Sequence, residues 1–185
     1  MNNTDKADVA NYKFTACKHV SLRYATIEDA AFILSLRKDK NLNKFLSPVD
    51  SGITKQIEWL AEYKEREKKR IEYYFIVESI DGDALGTVRL YDFKDDSFCW
   101  GSWIIIQNAP RFTALESALL VYEFAFYQLD FKKSHFDVRK ENTKVVEFHK
   151  RFGAKVVGSD EDNFYFKIFK SDYIGNKKKY KKFFI

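Results

Sequence analysis

The sequence contains no apolar run near the ~18–20 residues that cross a bilayer, so no membrane-spanning helix is expected. Its first ten residues are polar and carry both charge signs, which is not the pattern of a secretory leader. Cysteine is scarce: Cys17 and Cys99 stand alone, with neither metal-ligand spacing nor a disulfide framework. These absences lead us to expect a reduced, cytoplasmic setting and no bound metal. One methionine against 18 phenylalanines and 11 tyrosines leaves the core to aromatic packing. With 45% hydrophobic residues in 185, about one domain's length, the chain can bury a full core and is not disordered.

A broad excess of one charge is also missing. The net charge is +5, and the segment from Lys170 onward carries all of it, with lysines at 170, 177, 178, 179, 181 and 182 against Asp172. A terminal charge run of this kind reads as a solvated tail. Tyr180, Phe183 and Phe184 interleave with it, which is suitable chemistry for single-stranded nucleic acid. Because the remainder is neutral, no basic face supports that partner, and nucleic acid is not expected.

The apolar spacing gives the order β-α-α-β-β-β-α-β-α-β-β, an α/β (α+β) domain around a central mixed sheet. His19 to Tyr24 alternates as a first strand, after a lead-in over 1–19 with no clear period. Thr26 with Asp29 opens a helix that fades by Lys40, Ser47-Pro48 breaks the chain, and a second helix runs from about Thr54 to Arg70. Tyr73–Ser79, Leu85–Tyr91 and Ser97–Ile106, joined by short turns, form an antiparallel meander. A long helix follows over Thr113–Leu129, then a strand over His135–Val138 and a helix over Asn142–Phe152 that Gly153 ends. Two strands near Lys155–Val157 and Phe164–Phe169 finish the domain, taken as 20–170, with a basic tail over 171–185. The helical crossover makes the strands Ser97–Ile106 and His135–Val138 parallel and close.

The third meander strand runs directly into Gln107-Asn108-Ala109-Pro110-Arg111-Phe112 and then a helix, where Thr113 and Glu116 spell a T-x-x-E capping box. A helix start leaves backbone N–H groups unpaired and suits a phosphate. Arg111 can add a charge-assisted contact. Alone, this segment reads equally as an ordinary capped helix.

Several further segments, in order, resemble one family. They are Ala84-Leu85-Gly86-Thr87-Val88, then Glu116-Ser117-Ala118-Leu119 with Tyr122-Glu123-Phe124-Ala125-Phe126, then Lys140-Glu141-Asn142, then Phe148-His149-Lys150-Arg151-Phe152-Gly153-Ala154. Together with the element order over roughly Val20 to Lys170, they resemble the GNAT superfamily of acetyl-CoA-dependent N-acetyltransferases. The likeness is strongest to the amino-sugar and ribosomal-protein N-terminal branches. The pyrophosphate loop departs from the family's Q/R-x-x-G-x-G/A pattern: Pro110 and Phe112 occupy glycine positions, and only Ala114 fits.

The resemblance implies acetyl-CoA as co-substrate and no metal. It places the pantetheine arm along Trp103, Ile104, Ile105 and Ile106. The pyrophosphate falls at Arg111, Phe112, Thr113, Ala114 and Leu115, and Asn142 contacts the cofactor. His149 stands where the family often has a proton-donating tyrosine, and a histidine can donate near neutral pH. Asp92 and His135 are candidate bases, with Asp137 sharing a face with His135. Arg37, Lys38, Arg89 and Ser102 are candidate acceptor contacts. The segments Leu36-Arg37-Lys38-Asp39, Phe45-Leu46-Ser47 and Ile53 to Trp59 resemble enzymes that acetylate amino groups on nucleotide-linked deoxysugars for surface polysaccharide. There, Arg37, Lys38 and Lys44 would suit a diphosphate. Two alternatives stay open: acetylation of protein N-termini, and a non-catalytic acyl-CoA-binding module of the same fold. The expected partner is a small-molecule acceptor amine, and the chain is a monomer or homodimer.

Overall fold

A computed structural model describes residues 13–46 and 52–185. Eight strands form one sheet in the order β1-β2-β3-β4-β5-β6-β8-β7. They are β1 (Lys13–Phe14), β2 (Val20–Tyr24), β3 (Tyr73–Ser79), β4 (Ala84–Lys94), β5 (Ser97–Ile105), β6 (Lys133–Arg139), β7 (Lys155–Ser159) and β8 (Asn163–Phe169). The helices are α1 (Ala30–Lys38), α2 (Ile53–Lys68), α3 (Thr113–Glu123), α4 (Thr143–Phe152) and α5 (Lys170–Lys177). The Ser47-Pro48 break lies outside the described residues.

The period of two in β3 explains how the sheet is covered. Successive side chains of a strand point to opposite faces. Tyr73, Phe75 and Val77 therefore join the core beneath α3, while Tyr74 and Ile76 meet Ile33, Leu60 and Tyr63 of α1 and α2. A run buried on both sides has to be apolar throughout, as Tyr73 to Val77 is. Gly86 lets β4 and β5 approach closely. A Cβ built there would lie 2.2 Å from the Ile104 carbonyl oxygen.

The expected meander and the parallel neighbours are present: β3, β4 and β5 pair antiparallel, and β5 pairs β6 in parallel. Gly153 ends α4 at φ 97°, the left-handed value that glycine adopts most readily. Asp29 returns its carboxylate to the Thr26 N–H at 2.8 Å and is held by Arg23 through two bonds of 2.7 Å.

Four details correct the reading from spacing. The lead-in contains a strand, since Lys13 and Phe14 pair with β2. The long helix gives way to a π-helical turn over Phe124–Gln128. The Thr113–Glu116 capping box does not form. Instead the Glu116 carboxylate, fully buried, accepts the His19 and Val20 N–H groups at 2.9 and 3.3 Å and meets His19 Nδ1 at 2.5 Å. It ties β2 to α3 rather than closing its own helix end. Finally, the basic tail is folded: α5 and a 3₁₀ segment over Lys178–Phe183 return to the domain, burying Tyr173 and setting Phe184 against Cys17. The lysine heads stay largely solvated while the aromatic side chains and the backbone pack.

Candidate active site

The parallel ladder between β5 and β6 is short. Only Ser97↔Lys133 and Phe98↔Ser134 are paired, and beyond them the strands part. A bulge drives the parting. Between Arg89↔Gly101 and Thr87↔Ile104, β5 carries an extra residue, and Ser102 takes a φ of 47°. The Thr87 hydroxyl fixes the bulge by donating to the Ser102 carbonyl at 2.9 Å. An extra residue bends a strand and re-aims its side chains. A glycine-serine pair inside a strand is the local signal for this, and the apolar pattern alone concealed it.

Next to the parted strands lies a cavity of about 710 Å³. Tyr91, Trp100, Trp103 and Phe136 form an aromatic wall, and Gly101 and Ser102 give it a backbone edge. Arg37 and Lys44 line it from α1 and the segment after it, and Asn142, Val145 and His149 line it from α4. Asp137, Arg139 and Lys140 come from β6 and its end, and Glu161, Asp162 and Asn163 from the turn before β8.

The expected site residues divide into groups. Arg37, Ser102, Trp103, Asn142 and His149 meet in this cavity. The side-chain amide of Asn142 has no hydrogen-bond partner among the described residues, although its backbone N–H bonds Arg139 at 2.9 Å and starts α4. Trp103 is held by its Nε1–H, which donates to Ser117 Oγ at 3.0 Å. Ile104 is buried in the sheet, Ile105 packs against the core, and the Ile106 N–H is engaged by the Leu85 carbonyl at 2.9 Å. None of the three lines the cavity.

His149 differs from what the sequence suggested. Its ring is 4% exposed and packs on Phe136 at 4.3 Å and on Trp100 at 5.2 Å. Nδ1 is buried without a partner among the described residues. Burial disfavours the charged form and pushes the imidazole down to about 3. At neutral pH the ring is uncharged and holds no imidazolium proton to give.

The other candidates lie elsewhere. Lys38 is exposed and does not line the cavity. Arg89 binds the buried Glu72 and stacks over Trp59 and Tyr91 at 5.3 and 5.0 Å. Asp92 and His135 meet each other, Nε2 to Oδ2 at 3.1 Å, while His135 Nδ1 contacts Ser97 Oγ at 2.6 Å. This chain of side chains spans β4, β5 and β6 at the last paired residues before the strands part, outside the cavity lining. Asp137, two residues along the same face, is inside it.

The N-terminus of α3 has the form expected of an anion site. The Thr113 N–H bonds Pro110 and the Glu116 N–H bonds Phe112, both at 2.9 Å, whereas those of Ala114 and Leu115 find no acceptor among the described residues. Thr113 Oγ1 is likewise buried and unpaired among them. Arg111 is exposed and makes no ion pair there. Phe112, the bulky substitute for a glycine, stacks on His19 at 4.0 Å.

A mixed sheet that opens between two parallel strands, with bare N–H groups at the helix that follows, describes an acyltransferase taking an extended donor. The chain belongs to the GNAT acetyltransferases: the family's acetyltransferase (GNAT) domain model matches residues 19–155. Among solved structures it resembles apo FdhC, described as a nucleotide-linked sugar GNAT. The two share 44% identity with a TM-score of 0.86, over 94% of this chain and 98% of that one. A spermidine N-acetyltransferase from Vibrio cholerae in complex with CoA and spermine shares the fold at 22% identity and TM-score 0.70, covering 84% of this chain and 98% of that one. A structure described as a probable acetyltransferase does so at 16% identity and TM-score 0.74, covering 86% and 98%. No curated protein sequence matches the chain significantly.

The protein is thus an acetyl-CoA-dependent N-acetyltransferase. Acetyl-CoA is its acyl-donating substrate, and the residues present suit it. The Ala114 and Leu115 N–H groups offer donors for a diphosphate. The β5 edge beyond Phe98 offers unpaired backbone to an amide-bearing arm. Among the described residues no cluster of three or more His, Cys, Asp or Glu could hold a metal ion, and no helix is long and apolar enough to cross a membrane. Both cysteines are free and buried, and burial pushes Cys99 up to about 11, so neither is a ready nucleophile.

Proposed function

We propose that this enzyme acetylates a primary amine on a nucleotide-linked deoxysugar. The observation that carries this reading is the cavity lining: Arg37 and Lys44 enter it from α1 and the segment after it, and Tyr91, Trp100, Trp103 and Phe136 form its aromatic wall. Cations beside an aromatic wall suit a diphosphate joined to flat and apolar groups. The 44% identity to a nucleotide-linked sugar GNAT supports the same acceptor class.

On this reading Trp103 and the β5 edge align the acyl arm, Asn142 gives its free amide to the donor, and the α3 N-terminus takes the diphosphate of CoA. The bulge at Ser102 turns backbone toward the gap, where an N–H can polarise the thioester carbonyl. His149 contributes a hydrogen bond from a neutral ring, and solvent protonates the departing thiolate.

The test is thiol release from acetyl-CoA with amino-sugar nucleotides, N-terminal peptides and polyamines offered in turn. Turnover is expected with the amino-sugar nucleotides, and Arg37→Ala should raise their KM about tenfold or more, the loss of one charge-assisted contact. Turnover with peptides or polyamines alone would overturn the acceptor assignment.

A further inference from the structure

We propose that Asp137 is the catalytic carboxylate of this enzyme: it receives the acceptor's ammonium group and removes its proton. The proposal rests on the acetyl-transfer reading above and names the group that serves its acceptor.

Position is the first argument. β5 and β6 last pair at Phe98↔Ser134. Continuing that parallel register by three residues sets Asp137 level with Gly101, across the opened gap from the bulge. The side chain is exposed and lines the cavity. No other carboxylate lining the cavity among the described residues stands on a strand at this gap. Glu141 precedes α4, and Glu161 and Asp162 lie on the turn before β8, with Asp162 engaged by Arg139 at 3.1 Å.

Availability is the second argument. Asp92, the sequence candidate, is occupied by His135 and by Lys94 at 2.7 Å. Asp137 has neither an ion pair nor a hydrogen bond among the described residues. Its charge is nonetheless felt by groups from three neighbouring strands. It opposes ionisation of Tyr91 on β4, Cys99 on β5 and Tyr165 on β8. His149 faces the cavity from α4, Arg37 and Lys44 from the α1 side, and His135 and Arg139 flank Asp137 on its own strand. A carboxylate among neutral hydroxyls, with no counter-ion of its own, is ready to accept a cationic amine.

The chemistry balances without another reactant. The ammonium gives one proton to the Asp137 carboxylate, and the freed nitrogen pair attacks the thioester carbonyl carbon. The C–S bond then breaks, its electrons leave on the CoA thiolate, and the second amine proton is lost as the amide forms. One proton ends on the thiolate and one in solvent, regenerating the carboxylate.

Asp137→Asn preserves shape and should fold, as the side chain is exposed. At pH 7 its kcat/KM for the acceptor is expected to fall on the order of 10²-fold, the usual contribution of a positioned base. The deficit should shrink as pH rises toward the pKa of the amine, with CoA affinity by calorimetry unchanged. Tyr91, Cys99 and His149 keep one protonation state from pH 6 to 9 and do not confound the profile. A variant within about threefold of the parent throughout, or a deficit equal at every pH, would overturn the assignment. In a second measurement, the CoA-loaded enzyme should bind the amino-sugar nucleotide more tightly than its hydroxyl analogue, and Asp137→Asn should erase that preference. A parent enzyme with no such preference also overturns it. If the nucleotide sugars do not bind while another amine is acetylated, the acceptor reading alone fails, and the same comparison is made on that amine and its hydroxyl analogue.

Discussion

His149 illustrates how one side chain's environment rewrites the role its type suggests. An imidazole near pH 6.5 in the unfolded chain is held at about 3 by burial in the folded one. Between those values the unfolded state binds more protons than the folded state, so stability falls as pH drops through that window. His149→Phe, which keeps the aromatic contacts and removes the titration, should be less acid-labile. Its loss of stability between pH 7 and pH 5 should be about 2 kcal/mol smaller than the parent's in urea melts. An equal loss would show that the ring is not held neutral. Asn142 illustrates the opposite case, a polar side chain that makes no hydrogen bond among the described residues. Asn142→Ala should leave thermal stability nearly unchanged and weaken CoA binding roughly tenfold in calorimetry, as one hydrogen bond is worth about 1–1.5 kcal/mol.

Between single residues and the whole lie the elements, and here the parting of β5 and β6 matters most. Ser97, His135 and Asp92 bind the last paired residues together across three strands. The clamp fixes where the ladder ends, and so where Asp137 and Gly101 come to face each other. His135→Ala should therefore raise the KM for acetyl-CoA and lower kcat together, several-fold each, although His135 lines no part of the cavity. His135→Gln, which can still reach one of the two partners, should recover part of the loss. A change confined to stability would mean the clamp has no bearing on the gap. The sequence indicated that His135 and Asp137 share a face, because strand side chains alternate. It could not show that the pairing of β5 with β6 ends just before both of them, at Phe98↔Ser134, since that depends on a bulge in another strand and a partner 35 or so residues away.

For the molecule as a whole, the lysine-rich end is the clearest case of tertiary structure overriding local pattern. Charge alone read it as solvated, but Tyr173 is buried against Tyr122 and Phe126, its hydroxyl donating to Glu123 at 2.6 Å. Lys177 closes the same carboxylate at 2.8 Å. The segment thus packs on α3 and the turn after it, the helix whose first turn leaves the Ala114 and Leu115 N–H groups without acceptors among the described residues. Tyr173→Ala should lower unfolding stability by about 3–5 kcal/mol, the range for emptying a large aromatic site, measured as a shifted urea midpoint. A shift under 1 kcal/mol would mean that α5 adds little to the fold.

What the amino-acid sequence settled by itself was the element order from β2 to β8, the mixed sheet, the parallel strands joined by a helix, the glycine that ends α4 and the family. Each of these is written in local periodicity, turn chemistry or short ordered motifs, which act over a few residues. The tertiary structure alone decided which polar residues are spent on the fold and which remain for chemistry. Glu116 left its cap for His19, Arg89 went to Glu72, Asp92 and His135 went to each other, and Asp137 has no partner among the described residues. The physical reason is that a charged or hydrogen-bonding side chain takes the best partner that packing brings within about 3 Å, and such partners come from strands and helices far apart in the chain.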